Sequence, residues 1–245
     1  MPSSSLFVES ASKLAEFLTT WYRFVQAGGT GPVLVADQCG IVSDGFYKTR
    51  FLALPGEADI EFSRDEFCHF PANTVLEEKF YLQFTKGHPA SRQIVETRFL
   101  VKVGTLEEWR GFSYKWNDDA SDAVLLRDRE TLAFFIEDPE AEGGFVEQRY
   151  LFPGPEDCKL SHTEAAGRGL GLQTAQINRL RDYDGTLDHQ LRALNHISVF
   201  NKDIGEQYGD SPRWHNLSAQ DPERLGHLLA ESAAYRRYFR ASTGG

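Results

Sequence analysis

The sequence predicts an α+β protein: a predominantly antiparallel β sandwich or barrel with an N-terminal helix and a C-terminal helical part. Three observations carry that expectation. Apolar residues recur at three- and four-residue steps over residues 10–26. Short runs rich in Val, Ile, Phe, Tyr and Thr, punctuated by Gly, Pro, Asn and Asp, fill Pro32 to about Pro153. Helical patterns return after Pro155.

Leu14, Phe17, Leu18, Trp21 and Val25 trace one helical stripe, and Gly28-Gly29 follow as a stop, so the first element is a helix over residues 10–26. Strands follow at 45–54, 74–84, 95–103, 108–116, 123–127 and 145–152, while 132–136 reads equally as core strand or helix. In the run 95–103, Val95, Thr97, Phe99, Val101 and Val103 share one face and are expected inside. Glu96, Arg98 and Lys102 share the other, expected to be largely wet. Beyond Pro155, Leu187, Gln190, Leu191, Leu194 and Ile197 trace a helical face after a Thr186 cap, and Asp221-Pro222 opens a helix to about Arg240. The organisation is therefore an N-terminal helical segment (1–30), a β domain (31–153) and a helical part (154–245).

Composition narrows the function classes. At 245 residues, 41% apolar and 25% charged, the chain can bury a sizeable core and is not disordered wholesale. A net charge of -10, with no block of five or six basic residues, argues against nucleic acid as a partner. No run of eighteen uncharged apolar residues exists, so no membrane span is expected. Residues 1–6 carry no basic region, and Glu16 interrupts the next apolar stretch, so the start does not read as a secretory signal. Either the protein stays in the cytosol or a leader precedes this sequence. Three widely spaced cysteines, Cys39, Cys68 and Cys158, form no zinc pattern and allow at most one disulfide.

The most informative string is Cys158-Lys159-Leu160-Ser161-His162, one position away from the C-x-x-C-H of c-type haem attachment. A serine hydroxyl cannot form the second thioether, so at most one link, through Cys158, remains, with His162 as candidate axial iron ligand. The only methionine is Met1, which removes Met ligation from the body of the chain. Other patterns carry less. His189 and His196, at i,i+7, read as half-buried neighbours of a leucine stripe before they read as a metal pair. Glu77-Glu78 and Asp118-Asp119 are adjacent carboxylates whose side chains point to opposite faces of a strand, and are expected to be solvated. Tyr114 and Trp116 share a parity that suggests core packing, with Trp109 on the same strand. Gly167 to Leu172 is glycine-rich without the strand and helix of a nucleotide fingerprint. No nucleophile elbow or zincin motif occurs.

A longer series of strings places the haem-like motif in context. Ser43-Asp44 to Lys48, Arg50-Phe51 to Leu54-Pro55, and Phe70-Pro71-Ala72-Asn73-Thr74-Val75-Leu76 to Lys79-Phe80 come first. Glu96 to Leu100, Trp109 to Asn117, Ser121-Asp122-Ala123, Tyr150 to Pro153, Cys158 to His162 and Gly171 to Asn178 follow in order. Together they resemble a group of secreted bacterial di-haem c-type cytochromes over about residues 43–195. Three departures stand out. The family glycine of F-P-x-G-T is Asn73, a residue that tolerates positive φ. Ser161 replaces the second haem cysteine, and no second C-x-x-C-H follows the helix ending near Tyr238.

The resemblance implies a periplasmic or secreted relative. It leaves two readings of the motif. In the first, the chain is a non-catalytic structural or interaction module whose haem attachment is lost, with no cofactor and a protein partner. In the second, it is an electron-transfer domain holding one haem c through a single thioether at Cys158, with His162 on the iron. An enzyme ranks third, since no acid/base, nucleophile or metal constellation stands out; the partner and the oligomeric state stay open. If His162 lies near a pocket walled by Gly169 to Asn178 and a helix over 187–197, Ser161→Cys is expected to restore covalent haem.

Overall fold

The protein is described here by a computed structural model covering residues 46–64, 67–103, 108–162, 168, 174–183 and 186–205, with the strand backbone of 22–23, 25–26, 29–30 and 33–35. It is mostly antiparallel β structure with few, short helices. Nine residues of β5 (Tyr47–Pro55), nine of β6 (Val75–Gln83), twelve of β7 (Arg92–Val103) and nine of β8 (Glu108–Trp116) form the body of the main sheet. It continues into β9 (Ala123–Leu125), while β1 (Tyr22–Arg23) and β4 (Val33–Val35) pair along β5. β2 (Val25–Gln26) and β3 (Gly29–Thr30) form a separate two-stranded ladder. From β5 to β9 every strand pairs antiparallel with the next in sequence, an arrangement the alternating apolar pattern and intervening turn residues favour. Asn73, in the turn before β6, has φ 67°, the left-handed conformation for which Asn is one of the few suitable non-glycine residues.

The helix expected over 10–26 is not supported. Residues 10–21 and 24 lie outside the described residues, and residues 22–23 and 25–26 are strand. Conversely, the ambiguous stretch at 132–136 is strand: β10 (Glu130–Glu137) pairs antiparallel with β11 (Phe145–Phe152) along its whole length.

β7 obeys the expected alternation on one face only. Thr97, Phe99 and Val101 are buried and Val103 half-buried. Phe99 meets Tyr114 edge to face at 5.6 Å in a cluster with Ala53, Val75, Val101 and Ala123. Val95 departs from this set. The register steps from Phe80↔Glu96 to Tyr81↔Ile94, so Val95 is the extra residue of a β-bulge. Its side chain accordingly joins Phe80, Leu82, Tyr150 and Phe152 in a cluster on the opposite face. That opposite face is not wet: Glu96 is 0% exposed and Lys102 5%, with Leu100 buried between them.

Later parts of the chain cover it. The β10–β11 hairpin packs over Phe80 and Leu82 through Phe134, Ile136, Tyr150 and Phe152. At the other end, Leu52, Leu54, Leu100 and Trp109 share a core with Ile177, Leu191, Leu194, Val199, Phe200 and Ile204. This core is closed by Ile60, whose backbone bonds Val199 and Asn201 at 2.9 Å each, and by Phe62 N donating to Asn201 Oδ1 at 3.2 Å. α1 (Pro155–Ser161) lies against β8, α2 (Thr174–Ile177) is a single turn, and α3 (Gln190–His196) is under two turns long.

The helix expected over 187–197 is also revised. β12 (Leu180–Tyr183) and β13 (Thr186–His189) form a hairpin, and α3 starts only at Gln190. Pairing with β12 outweighs the Thr186 capping preference. Leu187 is therefore exposed while Leu191 and Leu194 remain in the core. The helix expected from Pro222 to about Arg240 lies outside the described residues. No helix among the described residues is long and apolar enough to cross a membrane.

Candidate functional site

Between the two apolar zones of the covered face runs a belt of ionised side chains built by strand register. Arg50, Glu78, Arg98 and Ser113 stand in one row across four strands, and Lys48, Phe80, Glu96 and Lys115 in the next. Residues two apart on a strand share a face, so both rows project to the same side. Glu78 is the hub of the first row. One of its carboxylate oxygens lies 2.6 Å from Arg50 Nη2 and 3.2 Å from Lys48 Nζ. Burial alone would raise its pKa, but Arg50, Lys48 and Arg98 together outweigh burial and hold it at about 2. Burial lowers the Lys48 pKa, with the Glu78 charge opposing that shift.

Glu96 is the second hub. Arg98 grips it with two parallel bonds, Nε to Oε1 and Nη2 to Oε2, each 2.8 Å. The Tyr150 hydroxyl from the overlying hairpin also donates to Glu96 Oε2, and Arg98 Nη2 donates to that hydroxyl at 3.2 Å. Phe80 provides the apolar floor: Lys48 Nζ lies 4.5 Å and Arg98 Cζ 4.1 Å from its ring centre. Ser113 Oγ, buried beside this row, has no hydrogen-bond partner among the described residues.

α1 brings the two motif residues to the border of the belt. Pro155 occupies the first turn, where no amide is needed, and Asp157 reaches back to accept from Gly154 N at 2.8 Å while also pairing with Arg129. Glu156 and Asp157 complement the positive end of the helix. Cys158 then falls on Gly111, the row below the charges. A β-carbon at Gly111 would lie 2.4 Å from Cys158 Cβ and 2.5 Å from its Sγ, so the glycine is the niche that receives this cysteine. The thiol is turned toward the sheet and toward Gly154 O at 3.7 Å. Burial raises its pKa, against the lowering effect of Arg98, so it stays protonated and is a poor nucleophile.

His162 ends the helix, its backbone amide bonded to Cys158 O at 3.0 Å and its Nδ1 2.6 Å from Arg168 O. Burial lowers its pKa, while the Arg168 carbonyl and the nearby Glu78 charge act in the opposite direction. The ring is thus held neutral at physiological pH.

The sequence reading singled out Cys158 and His162, and the fold places both beside the belt. It missed Lys48, Arg50, Glu78, Glu96, Arg98 and Tyr150. Glu77 and Glu78 do point to opposite faces, but neither is the solvated carboxylate expected: Glu78 is the belt's hub, and Glu77, 3.4 Å from Lys79, has its pKa raised by burial. A usable signal was present in the charges at alternate positions of β5, Lys48 and Arg50, and of β7, Glu96 and Arg98. His189 and His196 are separated by the switch from strand to helix, His189 buried and His196 exposed, and they do not form a common face. Tyr114 packs in the core and Trp116 against it, as their parity suggested, while Trp109 lies on the opposite face, edge-on to Phe70 at 5.7 Å. Neither Cys68 nor Cys158 forms a disulfide among the described residues, and Cys39 lies outside them.

The Cys158 sulfur is half-buried and seated against the sheet at Gly111. Among the described residues no three His, Cys, Asp or Glu side chains are grouped to hold a metal ion. No protein-family model, curated protein or solved structure matches the chain.

Proposed function

We propose that the chain is a non-catalytic structural or interaction module, resembling the region around the first haem motif of secreted di-haem c-type cytochromes, in which haem attachment has been lost. The observation that carries this reading is the position of the Cys158 thiol, half-buried and turned against Gly111 with α1 packed on β8. For Cys158 to hold a haem, α1 would have to lift from β8. The belt supports the same reading, because its cations are engaged by carboxylates, by the Phe80 ring, or by both, an arrangement that fixes strand register and rigidifies a scaffold rather than awaiting a substrate.

The test is export of the unmodified chain in a host carrying the c-type maturation machinery, followed by a pyridine haemochrome spectrum of the denatured protein. Little or no covalent haem is expected. Covalent haem at full occupancy would overturn the proposal and establish the single-thioether electron carrier.

A further inference from the structure

β11 has an edge that no described strand pairs. Its orientation follows from β10. Glu137 N donates to Phe84 O at 2.9 Å and Glu137 O accepts from Lys86 N at 2.8 Å, so Glu137 directs its backbone away from β11. In an antiparallel pair, facing residues turn the same way. Phe145, opposite Glu137, therefore directs its amide and carbonyl outward, and so do Glu147 and Arg149. Asp138 N donating to Gly144 O at 2.9 Å confirms the alternation at the neighbouring pair. The strand contains no proline and no bulge, the usual means of protecting an edge. Around it Phe135, Phe145 and Val146 are exposed by 60%, 53% and 44%. Glu147 and Arg149 are exposed, and neither has an ion-pair partner among the described residues.

We propose that this edge pairs with itself in a second copy of the chain, β11 against β11, antiparallel about a twofold axis at Gln148. The charges select that register. With Gln148 facing its own copy, Glu147 stands opposite Arg149 of the second copy and Arg149 opposite Glu147, giving two salt bridges. Moving the axis one residue in either direction sets Glu147 against Glu147 or Arg149 against Arg149. The two hairpins then form one four-stranded sheet, with Phe145 and Val146 at its ends. So short an interface belongs to the weak class, under about 1,200 Å². The inference deepens the reading of the chain as an interaction module by naming its partner as itself.

Sedimentation equilibrium of the full chain over a wide concentration range tests it. A monomer–dimer equilibrium is expected, weakened about tenfold or more by Arg149→Glu or by Glu147→Arg, and restored by the double exchange. Glu147→Pro is expected to abolish dimerisation while keeping the hairpin, because that amide faces outward. A monomer at every concentration, or association unchanged by Glu147→Pro, overturns the inference. So does failure of the double exchange to restore dimerisation in a chain with a native circular dichroism spectrum. A monomeric chain without haem would leave the proposed function standing and remove only this inference.

Discussion

On one face of the main sheet, Phe99 and Tyr114 meet edge to face among small aliphatic side chains. On the other, at the same height of the same strands, Arg50, Glu78 and Arg98 stand in a row. Both faces are buried. The first is secured by removing apolar surface from water, about 25 cal/mol per Å², and tolerates any set of side chains of suitable volume. The second is secured by reciprocity, since each ion is tolerable there only while its partner is present. The difference teaches that burial in this protein has two separate failure modes: loss of volume on one face and loss of a counter-charge on the other.

The sharpest way to break the comparison is Glu78→Gln beside Glu77→Gln. The first leaves buried Lys48 and half-buried Arg50 without their shared carboxylate and is expected to cost about 3 kcal/mol in urea unfolding. The second removes a carboxylate that burial already disfavours, from the opposite face of the same strand, and is expected to cost about 1 kcal/mol or less. Equal losses would show that the two faces do not differ in kind.

Acid titration probes the same hub without mutation. Glu78 is held at about 2 in the fold against an ordinary 4.5. Its contribution is therefore complete above pH 4.5 and is lost as pH falls toward 2, amounting to about 3 kcal/mol. His162, lowered from 6.5 by burial, acts with the same sign below pH 6.5. The difference in unfolding free energy between wild type and Glu78→Gln should shrink across the window from pH 4.5 to 2. A constant difference would place the carboxylate outside the network.

Tyr150→Phe deletes only the hydroxyl that the hairpin lends to Glu96, leaving the ring in its cluster. The expected cost is about 1–3 kcal/mol, because Glu96 is fully buried and loses a donor. No change would mean that the hairpin covers the belt without joining it. The smallest effect expected is that of reductant: with no disulfide at Cys68 or Cys158 among the described residues, dithiothreitol should leave the thermal midpoint unmoved, and a cooperative loss of structure would reveal a structural disulfide.

Strand positions were legible because alternation and turn chemistry are local, and the inward set Thr97, Phe99 and Val101 was read correctly. Val95 was misplaced because a bulge inserts one residue, and nothing local in the run 92–103 marks where the register steps. The second face was misjudged for a different reason. Alternation reports that a strand has two faces but not what comes to cover each, and Glu96 receives its Tyr150 hydroxyl from 54 residues away. The short helices were overestimated because pairing of β13 with β12 competes with a local capping preference. Of the candidate site, Cys158 and His162 were visible as a motif. The belt beside them was not, because its members are ordinary surface residues until the fold encloses them.

The contacts of Ile60 and Phe62 with residues 199–201 have a consequence in time. Strands β5 to β9 join neighbours in sequence, whereas Phe62 and Asn201 are 139 residues apart. By chain statistics, closing so long a loop costs about 3 kcal/mol more entropy than closing a four-residue turn. The meander can therefore assemble first, with the strap from Val199 to Ile204 arriving after the main barrier. Weakening the strap, for instance by Asn201→Ala, should then quicken unfolding and leave the refolding rate nearly untouched, so the last piece to arrive is the one that sets how long the protein stays folded.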